Sequence, residues 1–270
     1  MTTRRQEIMK ELGLWPNWRL RESIAAGTTV EATLSPDARA APAINPVAEG
    51  SHAPRSSAGS IRDATPALPL DARAAAIAQM EWPQLKESVA ACIACPLHKG
   101  RNKTVFGVGD ERAEWLFVGE GPGADEDAKG EPFVGQAGKL LDNMLAAISL
   151  KRGRNVYIAN IVKCRPPGNR NPEPAEAGRC EPYLHRQIAL IKPRLIIALG
   201  KVAAVNLLRR DASIASLRGK VHEYRNIPLI ITYHPAYLLR SLPDKAKAWE
   251  DLCFAVETMK ALQSTRPIPI

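Results

Sequence analysis

Leu195-Ile196-Ile197-Ala198-Leu199-Gly200 is a run of five apolar residues that ends in glycine. A run this short, with no polar residue at alternate positions, is typical of a strand buried on both faces of a sheet. Comparable runs predict further strands at residues 115–118, 156–162 and 229–233. Helical patterns follow or separate them at residues 138–148, 174–191, 201–208 and 245–262. This alternation predicts an α/β fold with a parallel sheet covered by helices on both faces.

The unusual residues of the chain cluster where these predicted strands end. Gly119 and Glu120 follow the first strand, Asn160 lies late in the second, and His234 follows the last. In open parallel sheets, ligands bind beyond the carboxyl ends of the strands. We therefore expect a ligand site at this edge of the sheet.

The cysteines predict a second site, which binds metal. Cys92 and Cys95 form a Cys-x-x-Cys pair, and Cys164 and Cys180 follow with fifteen residues between them. Four thiolates are the usual ligands of a [4Fe–4S] cluster or a structural zinc ion. Zinc usually takes two close pairs, so the split second pair favours iron–sulfur. The alternatives are a structural zinc ion and four unrelated buried cysteines. The fifth cysteine, Cys253, is expected to be a buried apolar residue of a helix.

Composition divides the chain into three parts. Residues 1–24 form a short amphipathic segment. Residues 6–21 of this segment are a possible docking helix for a protein partner. The alternatives are a frayed tail and a helix packed on the domain. Residues 25–80 are rich in Ala, Pro, Ser, Gly and Thr. Such a stretch buries little apolar surface and predicts a disordered linker. Residues 81–270 remain as one domain with a hydrophobic core.

Charge and the absence of apolar spans limit the classes of function. The net charge is +9, of which +8 lies in residues 81–270. A basic domain is typical of a protein that binds the phosphate backbone of nucleic acid, although a merely soluble basic protein has the same charge. No apolar run is long enough to span a membrane, and the charged N-terminal segment does not resemble a signal peptide. Five cysteines without an export signal indicate a reducing cytosol, so a cytoplasmic, nucleoid-associated location is expected.

Two glycine-rich turns carry further information. The sequence GEGPG at residues 119–123 is a tight turn after a strand. It is neither a Walker loop nor a dinucleotide-binding loop in register. The sequence PFVGQAG follows at residues 132–138. Phe133 in this second turn is a candidate stacking platform for a base, and the alternative is a side chain that fills the core.

These motifs, with two others, resemble those of the type 4 uracil-DNA glycosylases in order and spacing. The other two are NIVKCRPPGNRNP at residues 160–172 and HPAYLLR at residues 234–240. The resemblance covers residues 90–257. It implies a three-layer α/β/α domain with a four-stranded parallel sheet and a [4Fe–4S] cluster. Its implied ligands are Cys92, Cys95, Cys164 and Cys180.

The resemblance also implies a substrate site, and the residue types agree with it. The turn with Gly119 and Gly121, together with Phe133 and Asn160, would bind a uracil flipped out of DNA. Phe133 would stack on the base, and the Asn160 amide matches O4 and N3–H of uracil, a pattern that cytosine inverts. His234 would donate a hydrogen bond to O2 as negative charge develops there.

Two departures from the wider superfamily bear on mechanism. Gly121 stands where other members have a water-activating Asp, and no insertion with a nucleophilic His stands between residues 160 and 180. We therefore expect a monofunctional enzyme without a covalent adduct. Glu120 and Glu126 are the available carboxylates for water or for the cationic sugar. The alternatives for Glu126 are a residue that excludes the thymine methyl group and a member of an exposed acidic turn. The alternative for Glu120 is a role of its backbone alone.

Contacts with the DNA helix are expected from two sets of residues. Tyr237, Leu238 and Leu239 would form an apolar wedge that holds a kinked or flipped duplex. Lys163, Arg165 and Arg240 are candidates for contacts with phosphates, and solvated surface charge is the alternative for each.

Two functions remain to be distinguished. The first is an enzyme that hydrolyses the N-glycosidic bond of uracil in single- or double-stranded DNA, acts in repair, leaves an abasic site and is a monomer. The second is a non-catalytic iron–sulfur DNA-binding module of a replication or polymerase complex. Phe133, Asn160 and His234 favour the enzyme, because a binding module needs none of them.

Overall fold

The computed structural model describes residues 70–264, in which one mixed sheet lies between two layers of helices. The sheet has six strands in the order β1-β3-β2-β4-β6-β5. The strands are β1 Val108–Gly109, β2 Trp115–Gly119, β3 Val156–Asn160, β4 Leu195–Leu199, β5 His222–Tyr224 and β6 Ile227–Thr232. The four central strands are mutually parallel, and β1 and β5 pair with them in the antiparallel sense.

Nine α-helices accompany the sheet within this part of the chain. They are α1 Leu70–Ala78, α2 Trp82–Ala90, α3 Ala124–Lys129, α4 Gln136–Ala147, α5 Pro174–Ile191, α6 Lys201–Leu208, α7 Ile214–Leu217, α8 Pro235–Leu238 and α9 Asp244–Ser264. Among residues 70–264, none of these helices has the length and apolar character needed to cross a bilayer.

Alternate residues of the central strands form two separate apolar cores. Leu116 and Ile196 face one core, which is completed by α1, α2, α5 and α6. Phe117 and Ile197 face the other, which is completed by α4 and α9. Every residue of β2, β3 and β4 is buried, as expected for strands covered on both sides. The predicted α/β/α layering is therefore confirmed.

The predicted strand number was too low, because two edge strands carry no apolar signal. The four predicted strands are the four parallel ones, but β1 has only two residues and β5 only three. Their sequences, Val-Gly and His-Glu-Tyr, contain no run that periodicity can detect.

The predicted end of the linker at residue 80 also needs correction. Residues 70–78 form helix α1, in which Ile77 is buried against the core. The guanidinium of Arg73 lies 4.9 Å from the centre of the Tyr183 ring and donates to the backbone carbonyl of Arg179. The alanine-rich composition that suggested a linker also favours a helix, since alanine is the best helix former. The possible docking segment at residues 1–24 and the linker up to residue 69 lie outside the described residues.

Strand register brings the predicted ligand-binding residues together at one edge of the sheet. Gly119 at the end of β2 lies opposite Asn160 at the end of β3. His234 follows β6 at the same edge and forms the N-cap of α8. The fold therefore converts three positions distant in sequence into neighbours.

Candidate active site

A cavity of about 610 Å³ opens at the carboxyl ends of the parallel strands, a size that suits a small organic ligand. We call it the edge cavity. Seven of the residues singled out from the sequence line it: Glu120, Gly121, Glu126, Phe133, Asn160, His234 and Arg240. A single cavity thus lies at the edge of the sheet where a ligand site was predicted.

Gly119 lies behind this cavity and permits two side chains to approach each other. A Cβ atom at this position would lie 2.5 Å from both Asn160 Oδ1 and Phe133 Cζ. Such distances are too short for any residue other than glycine. The first glycine of the turn therefore acts by leaving space for Phe133 and Asn160.

Phe133 forms one wall of the edge cavity in an unusual backbone conformation. Its φ angle is +55°, in the left-handed region that non-glycine residues seldom adopt. Its ring centre lies 5.5 Å from that of His234, with 32° between the ring planes. The two rings are thus close neighbours in the wall that a flat ligand would meet.

Two charged side chains fix the backbone around Phe133. Glu126 Oε1 accepts the backbone N–H groups of Val134 (2.9 Å) and Gly135 (3.1 Å), and Oε2 accepts that of Gly123 (3.1 Å). Glu126 lies in helix α3 and is only partly exposed, so the exposed acidic turn considered for it is not what the structure has.

Arg152 fixes the same loop from the other side. Its guanidinium donates to the carbonyls of Pro132 and Phe133, both at 2.8 Å, and its Nε donates to Asp142 at 3.0 Å. Sequence analysis did not identify Arg152, because a residue that acts through backbone carbonyls leaves no motif.

Asn160 offers the edge cavity an unused acceptor. Its side chain is only 2% exposed, and Oδ1 has no hydrogen-bond partner within the part of the chain that the structure describes. A buried polar atom without a partner is unfavourable, and nearly all such atoms in folded proteins have one. The position is therefore suited to a ligand that supplies the missing donor.

His234 is held as a neutral donor. Its Nδ1 accepts the backbone N–H of Ala236 at 3.1 Å, so the proton of the neutral ring lies on Nε2. Burial, with a smaller contribution from the positive charge of Arg240, lowers the pKa of His234 to about 4. The ring is therefore uncharged at neutral pH and can donate one hydrogen bond through Nε2.

Glu120 is the second carboxylate of the edge cavity. Burial raises the pKa of this carboxyl group above its ordinary value. Unlike the Glu126 carboxylate, the Glu120 carboxylate has no hydrogen bond or ion pair among residues 70–264. Glu120 thus remains available to a water molecule or a ligand.

Two of the predicted DNA contacts are wrong, because the side chains are buried. Lys163 is 1% exposed, and its ammonium donates to the Asn160 carbonyl (3.0 Å) and to Gln187 Oε1 (2.6 Å). Burial lowers the pKa of Lys163 to about 8. Leu238 is 1% exposed and packs among Leu140, Met144 and other core residues. Sequence shows that these residues are basic or apolar, but not which way they face.

The remaining predicted contacts lie at the surface. Leu239 and Arg240 are exposed, and Leu242, which sequence analysis missed, is 53% exposed beside them. Arg165 is partly exposed and donates to Asn169 Oδ1 at 2.7 Å. Of the predicted apolar wedge, Tyr237 and Leu239 are therefore exposed, whereas Leu238 is buried.

The four predicted metal ligands line a second, small cavity, which we call the cysteine cavity. Its sulfur atoms accept hydrogen bonds: Cys180 from the backbone N–H of Lys163 (3.3 Å), Cys164 from Arg101 (3.2 Å) and Cys92 from Arg73 (3.6 Å). Burial raises the pKa of Cys164 and Cys180, and the hydrogen bonds from Arg101 and Lys163 act in the opposite sense, toward the thiolate form that a metal requires. All five cysteines are unpaired, and Cys253 lies apart from the other four, half-buried in α9.

The arrangement of these cysteines bears on which metal they would hold. Among the described residues, no group of three or more His, Cys, Asp or Glu side chains converges closely enough to hold one metal ion. Four thiolates on a single zinc ion lie close together, because each bond is only about 2.3 Å long. Cys92, Cys95, Cys164 and Cys180 supply the four thiolates that a [4Fe–4S] cluster takes as ligands, so the residue types fit such a cluster.

Comparisons with known proteins agree with these features. A family model described as the uracil DNA glycosylase superfamily matches residues 106–253. A type-4 uracil-DNA glycosylase of Archaeoglobus fulgidus is 49% identical over 159 residues, which are 56% of this chain and 79% of that protein. A type-4 uracil-DNA glycosylase of Pyrobaculum aerophilum is 43% identical over 181 residues, which are 64% of this chain and 92% of that protein. A type-4 uracil-DNA glycosylase of Thermotoga maritima is 44% identical over 159 residues, which are 58% of this chain and 82% of that protein.

Proposed function

The chain belongs to the uracil DNA glycosylase superfamily and is a uracil-DNA glycosylase of DNA repair, and from this premise we propose that it is a monofunctional hydrolase. It flips uracil out of DNA, hydrolyses the N-glycosidic bond with water and leaves an abasic site. The absence of a nucleophilic His insertion between residues 160 and 180 supports direct hydrolysis.

One observation carries the assignment of the substrate, namely the unpaired Oδ1 of Asn160 in the edge cavity. Uracil has an N3–H donor beside its O4 acceptor, which complements the oxygen and the NH₂ group of the Asn160 amide. Cytosine carries the opposite pattern and would leave both groups mismatched. The Phe133 ring provides the flat apolar surface on which the base stacks.

His234 and Glu120 have different roles in breaking the glycosidic bond. As the glycosidic bond breaks, the sugar gains positive charge and uracil gains negative charge at O2. The Nε2–H group of neutral His234 stabilises that oxygen, in the manner of an oxyanion hole. We assign the water-orienting role to Glu120, because its carboxylate is unengaged and its raised pKa improves a base. Glu126 acts through the three backbone N–H groups that it holds.

We further propose that Cys92, Cys95, Cys164 and Cys180 hold a [4Fe–4S] cluster. The shared cavity and the hydrogen bonds to sulfur support this ligand set. The cluster contributes folding stability, since hydrolysis of an N-glycosidic bond moves no electrons. It ties the segment before β1 to the end of β3 and to α5.

The remaining features of the proposal concern the surroundings of the enzyme. The substrate is DNA, as the family implies, in single- or double-stranded form. We expect the protein to be a monomer in the cytoplasm, acting on nucleoid DNA. A docking role for residues 6–21 is part of the proposal, although these residues lie outside those that the structure describes.

The test compares single-turnover excision with DNA binding for two variants on single-stranded and duplex uracil oligonucleotides. His234→Ala should slow excision by about a hundredfold to a thousandfold, the usual effect of losing one oxyanion donor, and leave DNA binding nearly unchanged. Leu239→Ala should weaken duplex binding more than single-strand excision, because its side chain acts on the helix. If His234→Ala cleaves both substrates at the wild-type rate, the catalytic assignment fails and a binding module is favoured.

A further inference from the structure

Gly178 lies in the interior of helix α5, where neither the backbone nor the packing requires glycine. Glycine weakens a helix interior because it gains no side-chain contacts and loses the most conformational freedom on folding. Its φ angle is not positive, and a Cβ atom at this position would meet no atom within 4 Å. The residue therefore destabilises the helix without a compensating contact.

Gly178 instead keeps a groove open. It lines a cavity of about 520 Å³ between helices α5 and α6, which we call the α5–α6 groove. The apolar part of its wall includes Ala177, Val202 and Val205. The carbonyl of Gly178 also lacks its usual helical donor, because residue 182 is a proline without an N–H group. The groove therefore combines apolar surface with an available hydrogen-bond acceptor.

The α5–α6 groove is continuous with the edge cavity. The two share Asn171, Lys201 and Val202 in their walls. The Lys201 side chain is 57% exposed and pairs with Asp211 at 2.9 Å. A ligand that extends from the edge cavity would therefore pass Lys201 on its way into the groove.

The charges around the groove favour an anionic ligand. Lys201, Arg209 and Arg210 line it together with Glu181 and Asp211, an excess of one positive charge. Arg209 is paired with Glu181 and Lys201 with Asp211, whereas the exposed Arg210 has no partner in the part of the chain that the structure covers.

We propose that the α5–α6 groove binds the nucleotide next to the uridine on the same DNA strand. The linking phosphate lies at Lys201, and the base enters the groove between the apolar walls, with its edge toward Asn206 and the Gly178 carbonyl. This proposal rests on the proposed function. It makes substrate recognition extend over two adjacent nucleotides, one flipped into the edge cavity and one held in the groove.

The variant Gly178→Leu tests the proposal, because its side chain enters open space and fills the groove. Leucine is a far better helix former than glycine, so the melting temperature should stay the same or rise. The KM for a single-stranded uracil oligonucleotide should nevertheless rise about tenfold, the effect expected from losing one held base. If Gly178 had only a structural role, the rise in KM would be accompanied by a fall in the melting temperature. Ala175→Leu, an exposed position of α5 outside the groove, is the matched control and should resemble wild type.

Substrates that lack one flanking base provide a second measurement. Removing the base on one side of the uridine, with the sugar and phosphate kept, should raise the wild-type KM about tenfold. In Gly178→Leu the same removal should add nothing, because the groove is already closed. Separate oligonucleotides that lack the 5′ or the 3′ neighbour identify which nucleotide occupies the groove.

Three results would overturn the proposal. The first is an unchanged KM in Gly178→Leu, and the second is a wild-type KM that rises neither when the 5′ base nor when the 3′ base is removed. The third is full additivity of the Gly178→Leu change and the base removal. Failure of the proposed function is seen separately, as an absence of excision by wild type on the unmodified oligonucleotide. In that case, equal affinity of wild type and Gly178→Leu for single-stranded DNA, measured by fluorescence anisotropy, would also reject the groove.

Discussion

The edge cavity and the cysteine cavity are joined by five consecutive residues, 160–164. The two cavities nevertheless differ in whether their polar groups have hydrogen-bond partners. In the edge cavity, Asn160 Oδ1 has no hydrogen-bond partner among the described residues. In the cysteine cavity, the sulfur atoms of Cys92, Cys164 and Cys180 each accept an N–H group. The first site thus offers an unpaired polar atom to a ligand, whereas the sulfur atoms of the second already accept hydrogen bonds from the protein.

Lys163 connects the two sites. Its backbone N–H donates to Cys180 Sγ, and its ammonium donates to the carbonyl of Asn160. The position of Asn160, the residue proposed to read uracil, therefore depends on a side chain whose own backbone is bound to a cysteine of the other site. The following experiments test how far the two sites are independent.

Removal of one cysteine ligand should have the largest effect. Cys180→Ala should lose the visible absorption of the cluster together with a free energy of folding on the order of several kcal/mol, because metal binding contributes to folding. The measurement is the absorption spectrum and the melting temperature of anaerobically purified protein. Cys253→Ala, which removes the cysteine outside the cavity, is the control and should keep both. A colourless Cys180→Ala protein with wild-type stability and activity would contradict a structural cluster.

Asn160→Asp should affect only the edge cavity. A carboxylate lacks the NH₂ donor that O4 of uracil requires, so excision of uracil should fall on the order of a hundredfold. The absorption of the cluster should be unchanged. Single-turnover rates measure the first effect and the visible spectrum the second. Excision at the normal rate would show that Asn160 does not read the base.

Lys163→Met should affect the connection between the sites. Methionine fills a similar volume but leaves the Asn160 carbonyl and Gln187 without their donor, and we expect excision to slow about tenfold. Lys139→Met, at an exposed position of α4, is the control for loss of one positive charge. If both variants have the same DNA affinity and rate, Lys163 does not position Asn160.

Arg152→Ala should have a smaller effect, and this effect should depend on Phe133. Without Arg152 the loop loses two hydrogen bonds that hold Phe133 in its left-handed conformation, and excision should fall about fivefold. In a double-mutant cycle, Arg152→Ala should add nothing to Phe133→Ala. Arg154→Ala, which changes an arginine in the same loop as Arg152, is the control and should match wild type. Additive effects of the two changes would assign Arg152 a role that is independent of Phe133.

The last effect, measured on stability instead of on excision, is a change with pH that arises from His234. Its pKa is about 4 in the folded protein and 6.5 in its ordinary state, so the unfolded chain binds more protons between these values. The contribution of neutral His234 is therefore complete above pH 6.5 and is lost as the pH falls toward 4. Between pH 8 and pH 5, wild type should lose about 1–2 kcal/mol more stability than His234→Asn in denaturant unfolding. Equal losses would show that His234 is not buried as a neutral ring.

The sequence predicted those features that depend on continuous patterns. The four parallel strands were visible because each is a run of buried apolar residues. The edge strands were not, since two or three residues cannot form a pattern. Helix α1 was mistaken for the end of a linker, because composition does not show that Ile77 meets a core.

The candidate site shows the same division. Spacing and residue type predicted that Phe133, Asn160 and His234 share a cavity, as they do. They did not show that Lys163 and Leu238 point inward, because burial depends on tertiary packing. Arg152 and Gly178 carried no signal at all, since one acts on carbonyl oxygens and the other through the absence of a side chain.

The two short outer strands also have a consequence for solutions of the protein at high concentration. An open sheet edge is a template on which a second chain can add a strand and begin to aggregate. Here the outermost strands offer only two residues of β1 and three of β5 for such pairing. Self-association through these two margins of the sheet is therefore disfavoured.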